Sequence, residues 1–134
     1  MSHIDARSLK RIDPDPMTDF VEKMEAAVGQ GNWTEAATYF TPDVLYRVGC
    51  REPFSGVAGI REYMEWQNTL VRWDGHNLRS KFARGEVAFF EVDSLFTRHR
   101  DGAKLVVPCT DIYTFEGGRI ADWRVYADTS AFSL

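Results

Sequence analysis

From Met17 the apolar residues Phe20, Val21, Met24, Ala27 and Val28 recur at helical spacing, with Thr18 as N-cap and Glu22 close behind, and Gly29 and Gly31 stop the run. Asn32 caps a second, shorter helix whose apolar side is Trp33, Ala36, Ala37 and Phe40, ended by Thr41-Pro42. Val44 to Val48 reads as a strand and Pro53 to Gly56 as a turn. Val57 to about Val71 reads as a third helix, with Ile60, Tyr63, Met64, Gln67 and Leu70 in phase.

Beyond Asn77 the period switches from helical to two. Strands are predicted over Leu78 to Ala83, Val87 to Arg98, Lys104 to Phe115 and Arg119 to Ala127, joined by tight turns at Arg84-Gly85, Arg100-Asp101-Gly102 and Glu116-Gly117-Gly118. Helices first and hairpin strands afterwards is a segregated α+β order, in which the helices cover one face of an antiparallel sheet. Long twisted strands curve around that face, so the expected architecture is a cone: a curved antiparallel sheet wrapped by N-terminal helices around an apolar pocket. Residues 1–16 are polar, hold both Asp-Pro pairs and carry no steady period, as a leading arm would; residues 17–134 form the single expected domain.

Length and composition narrow the function. A chain of 134 residues, 44% hydrophobic and 13% aromatic, has room for one core and ample apolar surface to build it. Its net charge of -4, with 16 basic residues scattered along the chain, argues against a nucleic-acid partner. Cys50 and Cys109 stand far apart with no CxxC or Cys/His cluster, so neither a disulfide nor a metal site is expected. No apolar leader and no run of eighteen apolar residues occurs, which predicts a cytoplasmic protein with no membrane partner. Gly-rich phosphate loops, GxSxG and HExxH are missing too, so no cofactor is expected.

Two stretches, DVLYRVGCREPFSGVAGIREYM at Asp43 to Met64 and VPCTDIYTFEGGRIADWRVYAD at Val107 to Asp128, together with the helix end AAVGQGNW, resemble the SnoaL-like and ketosteroid-isomerase-like branch of the nuclear-transport-factor-two-like superfamily. The resemblance implies a pocket inside the cone for a small molecule and pairing of two copies through the outer sheet face. Placed against ketosteroid isomerases, Asp111 falls where they keep a protonated aspartic acid that donates to a developing oxyanion. Their aspartate base falls at or next to Arg47, and their tyrosine near Met24. Because a guanidinium has no lone pair to accept a proton, that particular reaction is disfavoured. Placed against limonene epoxide hydrolases, Tyr46 matches the water-positioning tyrosine and Asp93 and Asp128 the two aspartates, whereas their arginine falls at Glu91 and their asparagine at Val48.

Alternation alone puts Phe89, Glu91, Asp93 and Leu95 on one face of a strand, and Arg124, Tyr126 and Asp128 on one face of the last. If those faces line the cavity, acids and an arginine share one apolar space and their pKa values separate. The candidate proton-transfer residues are therefore Asp93, Asp111, Asp128 and Tyr46. Candidate substrate contacts are Glu91, Arg47, Arg124, Tyr126, Phe89, Tyr113 and Trp66. His76 is a candidate for the pocket mouth; His99 and His3 read as solvated. The expected function is cofactor-independent acid/base chemistry (isomerisation, hydrolysis, dehydration or ring closure) on a small apolar molecule such as an epoxide, steroid, terpenoid or polyketide. The alternative is a non-catalytic binding or dimerisation module of the same fold.

Overall fold

The computed structural model describes residues 11–134. Helix α1 spans Pro16–Gly29, and the short α2 spans Trp33–Ala36 and runs on into a 3₁₀ turn. Strand β1 (Phe40–Val48) and the two-residue β2 (Phe54–Ser55) lead to α3 (Gly56–Leu70). Four long strands follow: β3 (Val71–Arg84), β4 (Val87–Arg98), β5 (Lys104–Glu116) and β6 (Arg119–Tyr126). They form one open six-stranded sheet in the order β2-β1-β6-β5-β4-β3, which with the helices makes the α+β cone expected from the sequence.

The sheet is mixed, however. The β3-β4-β5-β6 meander is antiparallel throughout, but β1 runs parallel to β6, pairing Tyr46 with Trp123 and Val48 with Val125. Between β1 and β6 the chain passes through α3 and four other strands, so no tight turn imposes opposite directions on the pair. Strand β1 also starts at Phe40, so the second helix is shorter than its apolar pattern suggests. Pro108 sits in β5 below the reach of β6, whose pairing with β5 begins at Thr110, so its missing N–H interrupts no ladder there.

Two further boundaries moved for identifiable reasons. The N-cap of α1 is Asp15, whose carboxylate accepts from the Met17 N–H at 2.7 Å, with Pro16 in the first turn. Thr18 is wholly buried and donates to the Asp15 carbonyl instead. Strand β3 starts seven residues before the predicted Leu78, directly after α3. Register shifts between Trp73 and Gly75 and between Leu78 and Ser80 break its two-residue period, and Gly75 takes the positive φ of 111°.

The core lies between the concave sheet face and α1 and α3. Val21 and Met24 of α1 and Ile60 and Tyr63 of α3 meet Val44, Tyr46, Phe90, Tyr113 and Trp123 of the sheet. A second cluster, Val71, Val92, Phe96, Val107, Cys109 and Phe132, closes the other end, where the C-terminal 3₁₀ turn sets Phe132 edge-on against Phe96 at 4.7 Å. Arg98 fixes that turn by donating to the Ala131 carbonyl at 2.6 Å. At the opposite sheet edge, residues 11–13 run parallel to β3, with Asp13 N–H donating to the Lys81 carbonyl and Lys81 N–H to that of Arg11. Residues 1–10 of the leading arm, with His3, lie outside the described residues.

Helix α3 approaches β2 so closely that a Cβ on Gly59 would stand 2.9 Å from the Phe54 Cβ. Replacing glycine by alanine inside a helix ordinarily stabilises by about 1 kcal/mol. Here the overlap reverses the sign: Gly59→Ala is expected to destabilise the fold by about 1–3 kcal/mol, read as a lower urea midpoint at unchanged slope.

Candidate functional site

A cavity of about 560 Å³ opens inside the cone between α1, α3 and the concave sheet face. Its two ends differ. Val71, Val92, Phe96, Val107 and Phe132 wall one end with hydrocarbon, whereas Glu25, Tyr46, Tyr63, His76, Asp111 and Trp123 supply polar groups elsewhere in the wall.

The polar wall is organised around Tyr113, a wholly buried residue of β5. Its hydroxyl lies 2.7 Å from Glu25 Oε1 and 3.1 Å from Asp111 Oδ2. Trp123 Nε1–H donates to the same Asp111 oxygen at 3.3 Å. One phenolic proton serves one acceptor, so the second short contact needs a proton of its own, which a carboxylic acid supplies. Tyr113 therefore holds the two carboxyls as a pair that shares a proton.

Burial drives both carboxyls up. Glu25 is pushed to about 8, by desolvation first and the Asp111 charge second, against the bond from Tyr113. Asp111 is pushed up to about 6 by desolvation, restrained by its bonds from Trp123 and Tyr113. Asp111 thus ionises before Glu25, and its charge then helps Glu25 to keep its proton. His76 Nε2 stands 4.0 Å from Glu25 Oε2. Burial lowers the imidazole, against the opposing pull of the Glu22 carboxylate. Their contact joins two neutral groups at neutral pH.

Two polar atoms of the wall are left over. Asp111 Oδ1 and the Tyr63 hydroxyl are both buried and have no hydrogen-bond partner. The Tyr63, Tyr46 and Trp123 rings follow one another along the wall, with centroids 5.5 and 4.6 Å apart, and Trp123 leads on to Asp111.

Of the residues singled out from the sequence, the structure brings Tyr46 and Asp111 into this wall and places Tyr113 directly behind it. His76, the candidate for the pocket mouth, also lines the cavity; the others point elsewhere. On β4 the buried residues are Ala88, Phe90, Val92 and Phe96, so Phe89, Glu91 and Asp93 face outward. There Phe89 stacks on Phe82, Glu91 accepts from Ser80, and Asp93 accepts from Arg79 at 2.9 Å. Arg47, Arg124 and Tyr126 meet around a shallow groove on the outer face beside Cys50, with Arg124 donating to Asp122. Asp128 caps the C-terminal turn by accepting from the Ser130 N–H. Trp66 lies under the Arg51 guanidinium, 4.2 Å from its ring, away from the cavity lining.

The matching family model is the SnoaL-like domain, over residues 21–123. The chain belongs to that family. No curated protein matches it in sequence. Among solved structures, the SnoaL-like domain superposes on a provisionally described SnoaL-like polyketide cyclase from Shewanella putrefaciens, with TM-score 0.76, 13% identity, and coverage of 90% of this chain and 96% of that one. A nuclear-transport-factor-two-like protein of unknown function from Burkholderia pseudomallei gives TM-score 0.75 at 14% identity, covering 88% and 95%. TerC, co-crystallised with polyporic acid, gives 0.74 at 19% identity over 88% and 95%. At these identities the likeness establishes the fold.

Glu25, Tyr63 and Trp123 of the SnoaL-like domain line the site without being among the candidates drawn from the sequence, and for Glu25 a signal exists. Glu25 occupies the i+4 position of the stripe Val21, Met24, Glu25, Val28, so a carboxyl sits on the face that α1 turns to the core. An acid on such a stripe is either mispacked or functional. Among the described residues no group of three or more His, Cys, Asp or Glu could hold a metal ion, and no helix is long and apolar enough to cross a membrane.

The raised carboxyls also set the stability. The unfolded chain releases the Glu25 proton near 4.5 but the folded chain keeps it to about 8. Between those values the unfolded state binds fewer protons, so each rise in pH favours unfolding. Asp111 adds the same trend between 3.8 and about 6. Wild type is expected to lose stability steadily from pH 4.5 to 8, and Glu25→Gln to lose less of it above pH 6, in urea melts compared across that range.

Proposed function

We propose that this SnoaL-like domain is a cofactor-independent acid/base enzyme that moves a proton on a small, largely apolar carbonyl compound of isomerase or polyketide-cyclase type. The observation that supports this most strongly is the Glu25–Tyr113–Asp111 triad, two desolvated carboxyls and one shared proton on the wall of an apolar cavity. Near neutral pH Asp111 is the ionised member and Glu25 the protonated one, which separates a base from an acid within one site.

In this reading Asp111 removes a proton from the carbon beside the carbonyl, and the C–H electron pair moves onto the carbonyl oxygen. The resulting enolate takes the proton back from Asp111 at another carbon, which is isomerisation, or its carbon attacks a second carbonyl in the same molecule, whose oxygen receives the C=O electron pair and takes the proton from Asp111, which is ring closure. Tyr113 holds Asp111 in place and passes the charge change to Glu25. The dry cavity strengthens each of these interactions relative to water. Hydrolysis of an epoxide fits less well, because Asp93 and Asp128 lie outside the cavity and Asp111 stands without its hydrolytic partners. The outer sheet face, where Leu45, Val106 and Tyr126 are exposed, is the surface on which we place a homodimer.

The test is exchange and turnover. Wild type incubated in deuterium oxide with a panel of aryl ketones and polyketide-like phenols is expected to label the carbon beside the carbonyl, read by NMR and mass. Asp111→Asn should lose about 10²- to 10⁴-fold, while Asp93→Asn on the outer face stays within about twofold. The pH profile of kcat/KM should be a bell whose limbs are set by the pair, rising near 6 and falling near 8. Tight binding with no exchange on any member of the panel would instead make the domain a binding module.

A further inference from the structure

The two leftover polar atoms and the charges around the cavity specify more than a reaction type. Buried polar groups almost always find partners, so an orphaned donor and an orphaned acceptor on one cavity wall mark where a ligand's polar atoms belong. Tyr63, 1% exposed, offers a phenolic O–H, and Asp111 Oδ1 offers an acceptor. Tyr63 cannot serve as a phenolate, since burial pushes its hydroxyl up to about 12, so it enters any complex as a donor.

No free cation stands in the cavity lining among the described residues to pair an anion; Arg51, 5.8 Å from the centre of the Tyr63 ring and stacked on Trp66 at 4.2 Å, lies outside that lining. Among the described residues no lysine lines the cavity, and its single arginine, Arg72, is 62% exposed and already donates to Asp74 at 2.7 Å and to Thr97 at 3.2 Å. His76 is held neutral by burial, and His99 Nε2 is bound to the Asn68 carbonyl at 2.9 Å. Among the described residues Glu25, Glu65 and Asp111 are the acids that line the cavity, Glu65 accepting from Arg61 at its exposed rim. A carboxylate placed against Asp111 would be a desolvated anion beside an anion, with one neutral O–H to hold it.

We propose that the cavity selects an uncharged carbonyl compound, its carbonyl oxygen accepting from Tyr63 and its apolar body lying against Val71, Phe96 and Phe132, and that it rejects the carboxylate of the same shape. This deepens the enzyme reading by naming the charge class of the ligand: an acid function on the natural substrate is esterified, reduced or absent when it enters. Tyr63 is then the residue that recognises the carbonyl, and its unpaired hydroxyl in the empty cavity is a cost to the fold that the ligand repays.

The matched probes are 2-acetonaphthone, 2-naphthoate and naphthalene, titrated at neutral pH by intrinsic tryptophan fluorescence and calorimetry. The ketone is expected to bind at least about tenfold more tightly than the carboxylate. Tyr63→Phe should weaken the ketone about five- to tenfold and leave naphthalene unchanged. The same substitution, by removing an unsatisfied buried hydroxyl, should raise the melting temperature of the free protein by about 2–4 °C. A merely structural tyrosine would not combine higher stability with weaker ketone binding. Equal or tighter binding of 2-naphthoate, failure of the ketone to bind up to its solubility, or equal losses for ketone and naphthalene in Tyr63→Phe would overturn the proposal. None of these readouts needs turnover, so a wild type that binds the ketone selectively but never exchanges its protons defeats the enzyme reading alone.

Discussion

The shared proton at Tyr113 is the interaction on which the rest of the site depends. Two carboxyls cannot both ionise in a space walled by hydrocarbon, because each loses its hydration and each raises the energy of the other's charge. A phenolic oxygen between them, 2.7 and 3.1 Å away, accepts the proton of the neutral acid and donates its own to the carboxylate. The arrangement needs a long-range fold: Glu25 comes from α1, Asp111 and Tyr113 from β5, and Trp123 from β6. The residues share a wall only because α1 crosses the concave face of a sheet whose last strands carry the others.

That dependence explains the division of labour along the strands. β5 alternates so that Val107, Cys109 and Tyr113 are buried while Val106, Pro108 and Thr110 are exposed. Asp111 falls on the inward phase, the one acid among the inward residues of this strand, and is tolerated there because Tyr113 and Trp123 satisfy Oδ2. β4 uses the opposite economy. Its acids, Glu91 and Asp93, are kept on the outer phase, where Arg79 and water solvate them cheaply.

Most of the architecture was legible in the sequence, and what was not has local causes. β4 and β5 follow an unbroken two-residue period and start where the pattern says. β3 has two register shifts that scramble its period, and its first residues follow α3 without a break, so the pattern gives no sign of where the helix ends and the strand begins. The direction of β1 relative to β6 is set by sheet assembly and leaves no trace in either segment. The site was harder. On β4 both phases carry aromatic residues, so alternation groups Phe89, Glu91 and Asp93 correctly but does not say which group turns inward. Hydrophobic packing decides it: Ala88, Phe90, Val92 and Phe96 make the more apolar set. Seeking a cavity acid on that strand weighted chemistry over burial. On α1 the signal is the converse: Glu25 interrupts an apolar stripe, where a carboxyl serves no packing role.

The unpaired atoms complete the physical picture, because they show that the cavity is built at some expense to the fold. A wall of phenylalanine in place of Tyr63, and of asparagine or leucine in place of Asp111 and Glu25, would be more stable at neutral pH by the reasoning that governs any buried polar group. A sheet that needed only a core would have no use for carboxyls whose folded state resists ionisation or for a hydroxyl with nothing to bond. Their grouping on one wall, with the hydrocarbon of Val71, Val92 and Phe96 across the remaining space, makes the defects complementary to something that is uncharged, carries an acceptor, and has an apolar body. The stability that these unpaired groups forgo becomes available in a complex whose ligand pairs them.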